Sequence, residues 1–289
     1  MLSFYVMTFK GFSVLHEVVE SFGTDLIDCV IAERDSALDK DYYDEIRDLC
    51  LQKNIRFFNR KEQFTIESNY SVLVSWRWMI HDDSRKLIVL HDSLLPKYRG
   101  FNPLVTALIN GDQEIGVTAL YATEDFDRGD IIYQSSVTIS YPIKIKDAIE
   151  KVVACYVSLV KSVCQDLLNG KQLPSKKQDD EEASYSIWRD EQDYLINWEL
   201  DAGTIKRTID ALGFPYRGAK SYVGENEIRI LEAEIEKDMD IVNRTPGKVI
   251  TIKENCPLVV CGKGILRITK MVDRFNVEYH LSKMRVRFT

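Results

Sequence analysis

Through its first half the chain alternates two textures. Short runs that are apolar at nearly every position, at 2–7, 26–31, 70–76 and 87–90, are separated by segments with helical spacing. Phe12, Leu15, Val18 and Val19 form such a stripe within 11–21, and Ile46, Leu49 and Cys50 another within 41–52. A strand without alternation has both faces buried, and amphipathic helices between such strands supply the cover. The pattern predicts an α/β fold with a parallel sheet covered on both faces. In sheets of that kind ligands bind beyond the carboxyl ends of the strands.

The second half reads differently. Pro142 precedes a long helical segment, about 145–168, that Gly170 ends. The polar stretch 171–184 follows, with Lys176-Lys177 and then Asp179-Asp180-Glu181-Glu182; it reads as a linker whose charge run is solvated surface. Beyond it, a helix at 201–212 precedes short strand candidates at 219–223, 228–235, 248–252, 258–260 and 265–268. Short strands broken by Gly and Pro suggest a small β-barrel. We expect one domain over 1–180 and a second over 187–289.

A 45% share of hydrophobic residues is enough for a sizeable core, and no run of 18 apolar residues is present to cross a membrane. Residues 1–7 lack a basic region and read as a first strand rather than a signal peptide. The six cysteines are scattered without a zinc pattern, which fits reduced thiols in a cytoplasmic protein and no metal. A net charge of −7 argues against broad binding to nucleic acid or anionic membrane. A homodimer is compatible with all of this.

Two frames carry the chemistry. In LIVLHDSLLPKYRGFNP (87–103) an apolar run ends at His91, and the chain turns at Pro96 into the basic Lys97-Tyr98-Arg99-Gly100. In ATEDFDRGDIIYQ (122–134) the strand-like run 117–121 leads to Glu124, Asp125, Asp127 and Asp130. Two strands delivering His91 and Asp127 to one sheet edge would make a general acid/base pair able to move protons near neutral pH. Alone, a strand-end histidine is more often a satisfied structural residue. Thr8-Phe9-Lys10-Gly11 opens the first helix, whose N-terminus favours anions.

These frames resemble the 10-formyltetrahydrofolate-dependent formyltransferase family. The family pattern of Asn-x-His, Ser-Leu-Leu-Pro, a basic Arg-Gly turn and a later Glu-Asp-x-Asp-x-Gly-Asp/Gln-Ile falls on Val89-Leu90-His91, Ser93 to Gly100, and Glu124 to Ile131. Ile196-Asn197-Trp198 and Phe214 to Ala219 resemble the start of the C-terminal OB-like domain of methionyl-tRNA formyltransferases and some sugar formyltransferases. The resemblance implies a Rossmann-like formyltransferase domain followed by a small OB-like β-domain. It implies catalysis by His91 and Asp127, and 10-formyltetrahydrofolate held by Trp76, Arg77, Trp78, Met79, Glu124 and Asp127. Substrate would be held by Thr8, Lys10, Gly11, Lys97, Tyr98 and Arg99. The Met-Thr-x-Lys-Gly start is similar to sugar N-formyltransferases, which implies a UDP- or dTDP-linked 4-amino-dideoxy sugar as acceptor, in cell-surface polysaccharide biosynthesis. Methionyl-tRNA formyltransferase and a catalytically silent folate or nucleotide-sugar binder are the alternatives.

One position departs. The family's Asn falls on Val89, which has no side-chain donor. Asn102, Ser75 or a backbone N–H takes its place, or His91 and Asp127 work alone, or transfer has been lost.

Overall fold

The computed structural model describes residues 1–36, 38, 40–80, 82 and 84–289. The first half runs β1 (Leu2–Val6), α1 (Thr8–Phe22), β2 (Ile27–Ala32), α2 (Tyr43–Gln52), β3 (Arg56–Asn59), β4 (Tyr70–Val74) and β5 (Lys86–His91). It continues through β6 (Arg99–Gly100), α3 (Pro103–Asn110), β7 (Glu114–Tyr121), β8 (Ile131–Thr138) and α4 (Ile145–Leu168). Then come β9 (Tyr185–Ser186), α5 (Ala202–Ala211), β10 (Ala219–Val223), β11 (Asn226–Glu236), β12 (Val249–Lys253), β13 (Cys256–Val260) and β14 (Ile265–Asp273). Two compact units result: residues 1–104, 114–139 and 149–187, and residues 105–113, 140–148 and 188–289.

The first unit holds a seven-stranded sheet in the order β3-β2-β1-β4-β5-β7-β8. β1 to β5 are parallel, as their apolar texture predicts. β7 and β8 are antiparallel, so the sheet is mixed. Strand order reverses between β1 and β4, which makes the gap beyond their carboxyl ends the natural place for a ligand.

The cover differs on the two faces. α1 approaches β1 so closely that a Cβ on Gly11 would lie 2.9 Å from the Cβ of Val6. Phe4, Val6, Val72, Val74, Ile88 and Leu90 are almost fully buried. The opposite face carries Tyr5, Cys29, Ile31 and Leu73, and its cover is Phe58, Phe64, Ile66, Trp76 and Ile80, with Leu87 and Val89 half-buried beside them. Among the described residues no helix joins β3 to β4 or β4 to β5. That face is therefore lined by loops, not by the second helical layer that the sequence suggests.

In the second unit five antiparallel strands are ordered β10-β11-β14-β13-β12. The last residues engage both edges. Tyr222 and Thr289 exchange backbone bonds of 2.7 and 3.0 Å, while Phe288 N–H donates to Gly247 O at 2.8 Å and Val249 N–H to Val286 O at 3.1 Å. Bare strand edges invite association with other chains, and this segment satisfies them. β11 and β14 are longer than their apolar cores predict. Charged residues alternate outward along them, with Arg267 reaching Glu236 at 2.9 Å. α5 starts at Asp201, whose Oδ1 accepts from Thr204 N–H at 2.9 Å.

Candidate active site

His91 is the last residue of β5 and is 7% exposed. Leu87, Val89 and His91 alternate with the buried Ile88 and Leu90, so all three point to the loop-lined face. The turn after His91 is tied down locally. Ser93 N–H donates to His91 O at 2.8 Å, Ser93 Oγ to Lys97 O at 2.6 Å, and Thr118 Oγ1 to Ser93 O at 2.6 Å. This turn brings the Tyr98 carbonyl to 2.9 Å from His91 Nε2. A carbonyl only accepts, so Nε2 carries the hydrogen. Nδ1 faces Asp127 Oδ1 at 3.4 Å. With both nitrogens protonated, the ring forms an ion pair with that carboxylate.

Asp127 reaches His91 by a route that differs from the sequence expectation. β7 is antiparallel to β5, with Thr118 opposite His91 and Tyr121 opposite Ile88. Its carboxyl end therefore lies at the far end of β5, where Ala122 N–H donates to Leu87 O at 2.8 Å. The loop 122–130 then doubles back to present Asp127. Gly129 makes the fold-back possible: a Cβ there would lie 1.7 Å from the Tyr121 carbonyl oxygen. Asp127 itself has φ 57°, in the left-handed region that side chains rarely adopt. Its Oδ2 accepts from Gly100 N–H at 2.9 Å. Thr8, Ser75, Tyr98 and Asn102 also have φ between 51° and 63°. Such residues cluster where function fixes the backbone.

Several residues expected to hold ligand are engaged internally. Lys10 forms an ion pair with Asp92, which also accepts from Tyr156 OH at 2.6 Å. Burial pushes the Asp92 carboxyl up, but the Lys10 ammonium and the Tyr156 hydroxyl outweigh it and hold the group below the usual carboxylate range. Burial, then Asp92, pushes the Tyr156 hydroxyl well above its ordinary value. Lys10 thus ties α1 to the end of β5, and Gly11 allows α1 to pack closely on β1.

Arg99 is likewise held by internal partners. It is 1% exposed, and its guanidinium donates to Gln178 Oε1 at 3.0 and 2.8 Å and to Asp180 Oδ1 at 2.6 Å. The segment read as a linker is therefore pinned to the turn, and β9 pairs with β6 there. Tyr98 N–H donates to Ser184 Oγ at 2.9 Å. Lys97 is exposed. Gln178, Asp92 and Tyr156 carry no motif in the sequence. Only the polarity of Asp92 directly after His91 could have signalled one of them.

Thr8 Oγ1 donates to Ser75 Oγ at 3.3 Å, across the point where strand order reverses. Trp76 packs edge-on against Tyr5 at 5.0 Å and Trp78 at 5.1 Å. Its indole N–H is buried without an acceptor among the described residues. Arg77 pairs with Asp35, Met79 is 42% exposed, and Glu124 is exposed. Val89 lies between Leu73 and Leu120 on the neighbouring strands and packs into apolar surroundings on both sides. Phe101 and Phe126, each one residue from the Gly100–Asp127 bond, meet at 5.8 Å while 43% and 55% exposed.

Residues 61–155 match the family model described as formyl transferase, and residues 189–275 match the one described as its C-terminal domain, together more than half of the chain. Methionyl-tRNA formyltransferase of Syntrophomonas wolfei is 33% identical over 185 residues, 64% of this chain and 58% of that protein. The chain thus spans a little over half the length of that relative. Two solved structures share the fold over nearly their whole length. The N-formyltransferase from Helicobacter canadensis, in complex with folinic acid and dTDP-3-aminofucose, aligns with a TM-score of 0.69 and 17% identity over 96% of this chain and 99% of that one. WlaRD, a sugar 3N-formyl transferase studied with dTDP and 5-N-formyl-THF, aligns with a TM-score of 0.67 and 19% identity over 98% of both.

Proposed function

Because this chain belongs to the formyltransferase family, we propose that it is an N-formyltransferase that moves a formyl group from 10-formyltetrahydrofolate to the amine of a nucleotide-linked amino sugar. The observation that carries the reading is the His91–Asp127 pair, held by two loops at the edge of the loop-lined apolar face. The acceptor class draws support from the two full-length neighbours that are sugar N-formyltransferases, and from the net charge of −7. The 33% identity to a methionyl-tRNA formyltransferase favours tRNA as the second reading.

The half-buried edge of the loop-lined face suits the co-substrate in kind. A pterin needs apolar walls and a few polar groups, and the half-buried Trp76, Leu87 and Val89 offer such walls. Trp76 supplies a buried N–H in want of an acceptor. The exposed Met79 and Glu124 remain available to the co-substrate. On the acceptor side, exposed Lys97 and the first N–H groups of α1, from Thr8 onward, suit a diphosphate.

In the reaction the acceptor nitrogen attacks the formyl carbon, and a C–N bond forms as the carbonyl oxygen takes up negative charge. When its ring is protonated, His91 paired with Asp127 places positive charge beside that oxyanion. The attacking nitrogen gives up a proton, and the departing folate nitrogen takes one as its C–N bond breaks; Asp127, or a water held by it, relays it. Val89 offers no donor to the oxyanion. We assign that role to Ser75 at the end of the neighbouring strand, whose Oγ accepts from Thr8 and leaves its own O–H for a ligand. The test is incubation with 10-formyltetrahydrofolate and a panel of nucleotide-linked amino sugars, with methionyl-tRNA alongside. A product 28 Da heavier, one formyl group in place of hydrogen by composition (about 28 Da), in the sugar arm alone supports the reading. Formylation of the tRNA alone overturns the acceptor assignment.

A further inference from the structure

We infer that Gln178 is a positioning residue that sets where the Asp127 carboxylate stands, an inference that rests on the formyl-transfer reading. Asp127 is not delivered by a strand end. It sits on a loop that folds back, in a left-handed backbone conformation, and something must hold it there. Gln178 Nε2 donates to the Asp127 carbonyl at 2.7 Å and to the Gly129 carbonyl at 2.8 Å. Its Oε1 accepts from Arg99 Nε and Nη2 at 3.0 and 2.8 Å. Arg99 precedes Gly100, the residue whose N–H binds the Asp127 carboxylate. One side-chain amide thus links both arms: its oxygen fixes the Arg99–Gly100 arm and its nitrogen fixes the Asp127–Gly129 arm.

The surroundings single out this residue. From 174 to 182 every side chain except Gln178 is exposed. The fixed guanidinium it meets is 1% exposed, so the clamp is anchored in the interior. An amide is the group the place requires, since only Gln or Asn offers both two donors and an acceptor. Glutamate has the same reach and holds Arg99 equally well, but cannot donate to the two carbonyls. Gln178→Glu therefore separates positioning of Asp127 from satisfaction of Arg99. Asp180→Asn is its counterpart, since it weakens an outer partner of Arg99 and leaves every bond of Gln178 in place.

The experiment compares wild type, Gln178→Glu, Gln178→Ala and Asp180→Asn by steady-state formyl transfer, thermal unfolding and NMR titration of the His91 ring. Misplacing a reacting group by about 1 Å costs on the order of 100-fold, so kcat should fall by about 10-fold or more in both Gln178 variants. KM for both substrates should stay within about threefold, and Asp180→Asn should keep kcat within about twofold. The His91 titration should move in Gln178→Glu and stay in Asp180→Asn. A Gln178→Glu kcat within about twofold of wild type overturns the inference. So does a loss in Gln178→Glu and Asp180→Asn that simply follows lost stability. If Gln178→Glu does not fold, Gln178→Ala carries the same kcat test. Absence of transfer in wild type counts against the formyl-transfer reading, whereas an unmoved His91 titration in a folded Gln178 variant counts against Gln178 regardless of activity.

Discussion

Lys10→Met separates the two roles available to that lysine. In the structure its ammonium faces Asp92, with side chains only 13% and 18% exposed. Removing one partner of a buried pair leaves an uncompensated charge, at about 3–5 kcal/mol. Partial solvent access and the remaining Tyr156 hydroxyl place this case near the lower value, about 3 kcal/mol. For a chain of this size that lowers the Tm by about 6–12 °C. The pH dependence follows from the opposing causes at Asp92. In wild type its folded pKa is depressed, chiefly by Lys10 and Tyr156 and less by His91, against burial. That stability is present above the unfolded value, about 3.9, and is lost as pH falls through the folded one. Without Lys10 burial dominates and the carboxyl is raised, so the variant should regain part of its deficit as pH is lowered toward 5. The assay is thermal or urea unfolding of both proteins from pH 8 to pH 5. An unchanged Tm at pH 7 together with a raised KM for a nucleotide-linked substrate would refute this reasoning and restore Lys10 as a phosphate ligand.

Val89→Asn should place an amide between Leu73 and Leu120, cost about 1–3 kcal/mol in unfolding experiments, and bring no gain in turnover; a rise of about tenfold, near 1.4 kcal/mol of barrier, would show that the site simply lacks a donor. Ser75→Ala should lower kcat by about 100-fold with little change in KM if its hydroxyl serves the oxyanion, as steady-state kinetics will report. Asp127→Asn keeps the size but removes the charge facing His91, and should reduce kcat with folate affinity, measured by titration, nearly intact.

The parallel strands were legible because uninterrupted apolar runs have few ways to be buried, and His91 stands at a strand end as its frame predicts. Mixed strand direction was not legible: 117–121 has the same apolar texture whichever way it runs, so the path of Asp127 was misread as a simple delivery to one edge. The internal partners of Lys10 and Arg99 were not legible for a related reason. A cation in a Gly-containing loop has the same signature whether its partner is a ligand or a carboxylate far along the chain, and Asp92 and Asp180 lie 82 and 81 residues from them. Gln178 sits in a run of charged residues whose composition signals solvent, and only the buried Arg99 gives it meaning.

Formyl transfer through His91 and Asp127 is tested most directly in a single-turnover reaction. Enzyme in excess over 10-formyltetrahydrofolate is mixed with a nucleotide-linked amino sugar, and the product is read by mass, for wild type and for a His91→Asn variant shown to be folded. The account predicts formylated sugar from wild type and a loss of most of the rate, about 100-fold or more, in the variant. Equal rates in the two proteins, or no transfer by wild type to any amine acceptor offered, would contradict it.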